Sequence, residues 1–200
     1  MSLLALFPLD VVLFPGAPLP LHIFEPRYKE LVGECLSSKT PFGMVRSRES
    51  ALAEVGCTAA ILNVSKKYDD GRLDIVTEGR QRFEIGHLNQ ERSFLRGEVI
   101  FFDDDPSQVS KSDTTTVIQL HQQLFSVLGQ KVEVEPSYAS LSFQLANELP
   151  VDLDFKQTIL EMKSEAERVE TLIEYYRATI PKVELTLRAR DRASGNGHVR

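Results

Sequence analysis

Between Leu6 and Tyr28 the chain reads LFPLDVVLFPGAPLPLHIFEPRY, and its prolines decide what this stretch can become. Proline fixes φ and lacks the N–H that a sheet ladder needs, so Pro8, Pro15 and Pro20 confine it to short strand pieces joined by sharp turns. Pro26 stands where a missing N–H costs nothing, at the first turn of a helix. Behind it Tyr28, Leu31, Val32, Cys35 and Leu36 recur at helical spacing. The order strand, turn, strand, helix follows.

From Phe42 to about Phe102 the chain keeps mainly a period of two. Phe42 to Val45 reads as a short buried strand. Residues 57–66 and 73–85 form two longer runs around Tyr68-Asp69-Asp70-Gly71-Arg72, whose Asp-Gly pair signals a hairpin. Leu95, Val99 and Phe101 then alternate with Arg96, Glu98 and Ile100. Short β-runs with frequent turns imply a strongly curved sheet or small barrel with one helix beside it. Asp103-Asp104-Asp105-Pro106-Ser107 breaks the pattern, and beyond it the period becomes about 3.6 residues. Val117, Leu120, Leu124 and Leu128 make one stripe, and Leu141, Leu145 and Leu149 another. Asp154 with Gln157, and Ser164 with Glu167, read as capping boxes, the second followed by Val169, Leu172, Ile173 and Tyr176. Pro181 is expected to interrupt the last helix. The chain is therefore expected to be α+β: a β domain over residues 1–105, a four-helix bundle over 106–187, and a flexible tail over 188–200.

Composition narrows the function classes. Two hundred residues suffice for one large domain or two small ones, and a hydrophobic fraction of 42% is ordinary for a globular protein. No apolar run approaches the roughly 20 residues needed to cross a bilayer. The opening Met1-Ser2-Leu3-Leu4 lacks a basic flank and soon meets Asp10, unlike a secretory signal, so a cytoplasmic location is expected. Cys35 and Cys57 occupy apolar positions and read as core residues. A formal net charge of −6 disfavours a nucleic-acid partner, although a local basic patch overrides a mean. His22, His87, His121 and His198 lack the helical two-His spacing of a zinc site, so neither metal nor cofactor is expected. There is no glycine-rich loop ending in Gly-Lys-Ser/Thr to cradle phosphates. Ser65-Lys66 and Ser110-Lys111 are neighbours in sequence, which does not by itself aim a nucleophile at a base.

Three ordered blocks resemble a known family. Phe7-Pro8-Leu9, Val12-Leu13-Phe14-Pro15-Gly16, Leu19-Pro20-Leu21-His22-Ile23-Phe24 and Glu25-Pro26-Arg27-Tyr28 resemble the opening of the Lon protease N-terminal domain, particularly its stand-alone bacterial versions. Gly56-Cys57-Thr58-Ala59 with Glu78-Gly79-Arg80-Gln81-Arg82-Phe83 is similar to that family's central hairpin. Leu149-Pro150, Lys156-Gln157, Leu160-Glu161 and Arg168 are similar to its helical C-terminal part. The resemblance spans roughly Leu4 to Tyr176. It implies a PUA-like pseudo-barrel followed by helices, and a non-catalytic module that recognises unfolded or extended polypeptide segments. The family's ATPase and its Ser-Lys peptidase lie in other domains, which no segment here resembles. Other readings are an adaptor for a folded partner such as a protease or chaperone, and a small-ligand protein or enzyme using an inter-domain cleft.

Candidate peptide-contacting residues are Phe14, Pro15, Phe24, Glu25, Arg27, Tyr28, Arg80 and Arg82. The competing structural reading folds the Phe14-Pro15 turn onto the core and pairs Glu25 with Arg27 across the strand-to-helix junction. Arg80 and Arg82 are expected on one strand face.

Overall fold

The computed structural model describes residues 2–49, 51–106, 108–134 and 140–195. The strands are β1 (Ser2–Leu9), β2 (Pro18–Ile23), β3 (Phe42–Arg48), β4 (Ala51–Leu52), β5 (Val55–Lys67), β6 (Leu73–Asn89) and β7 (Arg96–Phe102). The helices are α1 (Pro26–Ser38), α2 (Lys111–Val127), α3 (Leu141–Glu148), α4 (Leu153–Glu161) and α5 (Glu165–Gly195).

Closure of the sheet comes from a pairing that alternation could not reveal. β1 runs antiparallel to β7, with Ser2 opposite Val99, and parallel to β3, with Leu6 opposite Gly43. The ring β1–β7–β6–β5–β3 therefore returns to β1, and β2 adds to β6 outside it. Leu4, Leu6, Val45, Phe83 and Val99 fill the interior. So few strands leave little room. A Cβ on Gly43 would stand 2.7 Å from the Phe83 ring and 2.8 Å from Leu6, so glycine there is what admits the large side chains.

Helix α1 forms as its sequence implies. Pro26 occupies its first turn, and Tyr28, Leu31, Val32 and Cys35 are buried, while Leu36 stays exposed at the edge of the stripe. Lys39, in the left-handed conformation, ends it. The hairpin turn is also as expected, with Gly71 at a φ of 81°.

The chain gathers into two compact units, and their membership differs from the expected domains. One unit combines Met1–Asp104 with Tyr138–Lys163, the other Asp105–Ser137 with Ser164–Arg200. The first break thus falls beside the expected boundary, but α3 and α4 return to the β unit instead of joining a bundle. Gln157 Nε2 donates to the Val55 carbonyl at 3.1 Å, and Asp154 receives Arg46 at 2.7 Å and Arg48 at 3.1 Å. That use of Asp154 corrects the capping assignment: Asp152 caps α4, accepting the Phe155 N–H at 2.8 Å. Ser164 does accept the Glu167 N–H as expected.

The second unit is built on α2 and α5, joined at their core by a 2.7 Å hydrogen bond between His121 Nδ1 and the Tyr176 hydroxyl. Pro181 does not interrupt α5, which runs on through the start of the expected tail to Gly195. A proline forgoes the bond to the carbonyl four residues back, and the turns on either side keep the segment helical. Residues 196–200 of the expected tail lie outside the described residues.

Candidate functional site

Two clefts in the β unit collect half of the eight candidate residues singled out in the sequence. The first, of about 240 Å³, is lined by Pro15, Arg80, Gln81, Arg82, Phe102, Asp103, Asp104, Ser140 and Phe143. Arg82 builds it. Only 3% exposed, its guanidinium donates through Nη1 to the carbonyls of Leu160 at 2.9 Å and Met162 at 2.6 Å, and through Nη2 to the Asp104 carboxylate. The same group lies 4.5 Å from the Phe102 ring centre and 5.2 Å from that of Phe143. It thereby ties β6 to the end of α4, where helical carbonyls lack intrahelical partners. Arg80, two residues earlier on β6, is exposed and pairs at 2.8 Å with Glu78. Alternation places both arginines at one cleft, yet one is structural and the other reachable.

Phe14 is corrected by its burial. It is fully enclosed and stacks on Phe143 with centroids 5.4 Å apart, so it supports the cleft from beneath and offers no surface to a ligand. Gly79 permits this approach, because a Cβ there would come within 2.0 Å of the Phe14 carbonyl oxygen. Pro15 is buried, though it still lines the cleft.

The remaining candidates gather at the β2–α1 junction. Arg27 Nε donates to Glu25 at 2.8 Å, the internal pair expected, and its guanidinium lies 4.5 Å from the Tyr28 ring centre. Tyr28 is itself buried and stacked on Phe7 at 3.9 Å. Burial raises its hydroxyl pKa, with Arg27 opposing and Glu25 adding. Arg27 lines a second cleft of about 350 Å³ with Pro8, Gln90, Arg92, Ser93, Phe94 and Leu95. Phe24, 59% exposed, lines neither cleft and stacks against His22. Of the eight candidates, then, Pro15, Arg80 and Arg82 meet at one cleft and Arg27 opens on the other.

Sequence reasoning missed Arg92, whose guanidinium reaches both Glu30, at 2.7 Å, and Glu34. Its trace was present: Glu30 and Glu34 form an acidic i,i+4 pair on the exposed face of α1, which asks for a cation from elsewhere. Hydrogen bonds from Ser93 and Arg92 hold the Glu30 carboxyl below its usual range. Among the described residues, no group of His, Cys, Asp and Glu side chains could hold a metal ion, and no helix is long and apolar enough to cross a membrane.

The family model of the ATP-dependent protease La (Lon) substrate-binding domain matches residues 4–177. The chain belongs to the Lon substrate-binding domain family. It is 26% identical to Lon protease 1 of Hydrogenovibrio crunogenus, over 92% of this chain and 24% of that protein. Lon protease of Buchnera aphidicola subsp. Baizongia pistaciae is 23% identical over 92% of the chain and 26% of that protein. The Lon domain described here thus spans about a quarter of the length of these relatives. The crystal structure of a Lon N-terminal domain protein from Xanthomonas campestris superposes with a TM-score of 0.71 at 25% identity, covering 88% of this chain and 99% of that one. The N-terminal domain of a Mycobacterium avium complex Lon protease shares the fold, with a TM-score of 0.63 at 16% identity over 88% of this chain and 98% of that one.

Proposed function

We propose that this Lon domain is a non-catalytic, cytoplasmic recognition module that holds unfolded or extended polypeptide segments. The match of residues 4–177 to a substrate-binding domain carries this reading, and the Arg82-built cleft supplies a place for it. Segments enter by side-chain anchoring and not by strand addition. Among the described residues β2 pairs only with β6, and it carries Pro18 and Pro20, while the second half of β5 is broken by register shifts at Ile61/Asn63 and Val64/Lys66 and carries Lys66 and Lys67. Prolines, bulges and lysines are what blunts a sheet edge against pairing. A non-catalytic role is also consistent with the Ser-Lys neighbours. Ser65 Oγ donates to the Asp74 carbonyl while Lys66 lies over the Tyr68 ring, and Ser110 Oγ caps α2 by accepting the Asp113 N–H at 3.0 Å.

The exposed residues around the aromatic wall of Phe102 and Phe143 are Arg80, Gln81, Asp103 and Asp104, the last already engaged by Arg82. Fluorescein-labelled, reduced and carboxymethylated casein titrated into the domain is expected to give saturable anisotropy changes. Arg80→Glu should weaken them several-fold at unchanged melting temperature. No binding at high micromolar protein would overturn the proposal.

A further inference from the structure

The second cleft contains a pair of arginines that the recognition reading leaves without a task. Arg27 and Arg92 both line it, together with the Gln90 amide and the apolar surfaces of Pro8, Phe94 and Leu95. Each guanidinium is oriented by the protein before any ligand arrives. Arg27 uses Nε on Glu25 and lies over the Tyr28 ring, which leaves both Nη atoms without a partner among the described residues. Arg92 uses Nη2 on Glu30 and Glu34 and lies 5.2 Å from the Phe94 ring centre, which leaves Nε and Nη1 without one. The loop carrying Arg92 is pinned as well. The Asn89 side chain accepts the Glu91 N–H at 3.0 Å, Ser93 donates to Glu30, and Phe94 is buried.

Unused, fixed guanidinium N–H groups match a planar oxyanion, which accepts two parallel hydrogen bonds from such a fork. The adjoining apolar surfaces favour an oxyanion attached directly to an apolar side chain. Glu25, Glu30 and Glu34 do not line the cleft; they hold the cations from outside it. Attraction at long range is therefore weak, and recognition depends on short hydrogen bonds. A chain terminus combines these features, with its carboxylate one bond from the α-carbon that bears the last side chain. From this geometry we infer that the Arg27–Arg92 cleft captures the C-terminal carboxylate of a polypeptide whose last residue is apolar. The inference rests on the recognition reading above and adds a second, end-specific subsite to it.

The test uses the full chain and an octapeptide ending in Ala-Leu-Phe with fluorescein at its N-terminus, prepared as the free acid and as the C-terminal amide. The acid is expected to bind at least tenfold more tightly than the amide, with little dependence on salt between 50 and 200 mM. Arg27→Gln, a change at a half-exposed side chain, should bring the acid most of the way to the affinity of the amide. Arg27→Gln with Arg92→Gln should make the two peptides equal. Both variants should keep the circular dichroism spectrum of the unaltered chain. Equal affinity of acid and amide for the unaltered chain overturns the inference, as does binding of casein without binding of either peptide. Inorganic phosphate that displaces the acid at lower concentration than unlabelled acid peptide would also overturn it, in favour of a phosphoryl ligand. Loss of all binding, casein included, would instead refute the recognition reading from which the inference starts.

Discussion

Arg82 and Arg80 sit two residues apart on one strand face, and their substitution should have opposite consequences. Arg82→Met keeps an unbranched side chain between the Phe102 and Phe143 rings while removing every hydrogen bond of the guanidinium. Two of the lost bonds run from a charged donor to the carbonyls of Leu160 and Met162, at 2.9 and 2.6 Å. Bonds involving a charged group are worth about 1.5–3 kcal/mol each. The third partner, Asp104, is 30% exposed, so water compensates it and it adds at most about 1 kcal/mol. The loss should be about 3–7 kcal/mol, concentrated where β6 meets the end of α4. Every 1.4 kcal/mol is a factor of ten, so amide protection across Leu153–Glu161 should fall by roughly two to five orders of magnitude in hydrogen exchange. Arg80→Met, which breaks only the half-exposed pair with Glu78, should stay within about 0.5 kcal/mol. Unchanged exchange in α4 of the Arg82 variant, or equal losses in the two variants, would refute the assignment of Arg82 as the tie between strand and helix.

Other consequences are open to direct measurement. Burial pushes the Cys57 thiol up to about 12 and raises that of Cys35, so Ellman's reagent at pH 8 should label neither quickly in the native chain and both after denaturation; rapid native labelling would contradict this packing. Asp74 is held below its usual pKa first by the His22 hydrogen bond, and Asp154 first by that of Arg46. Both carboxylates have a lower pKa folded than unfolded, so their contribution is complete above about pH 4 and is lost as pH falls towards the folded values. Melting temperature should drop along that acid limb, and Asp74→Asn with Asp154→Asn should flatten it; an unchanged slope would refute the coupling. Gly79→Ala should cost at least ~2 kcal/mol in urea unfolding because its Cβ would strike the Phe14 backbone. Gly33→Ala, exposed in mid-helix with nothing within 4 Å, should instead stabilise by about 1 kcal/mol. Reversal of that order would contradict the backbone placement.

What could be read in the sequence was what depends on neighbours in the chain. Pro26 and the stripe behind it marked α1, Asp70-Gly71 marked the β5–β6 hairpin, and Ser164 marked the start of α5, because each signal is complete within one turn or one hairpin. Closure of the barrel needed β1 to meet β3 in parallel, a contact between segments some forty residues apart that leaves no periodicity of its own. The apolar stripes of α3 and α4 likewise declared that those helices were packed, without declaring against what. A stripe facing β5 and one facing α5 have the same period. The site followed the same division. Alternation was enough to put Arg80 and Arg82 on one face, but only the carbonyls of Leu160 and Met162, about eighty residues further along, decide that Arg82 is spent on structure. Phe14 was equally undecidable until Phe143 covered it. Arg92 differs from these: its acidic partners were visible as Glu30 and Glu34 on a helix already identified, so an unbalanced pair on an exposed helical face carries information about a distant loop. Unpaired like charges at i,i+4 are thus the local mark of a tertiary contact, and here they point to the loop that brings a second arginine beside Arg27.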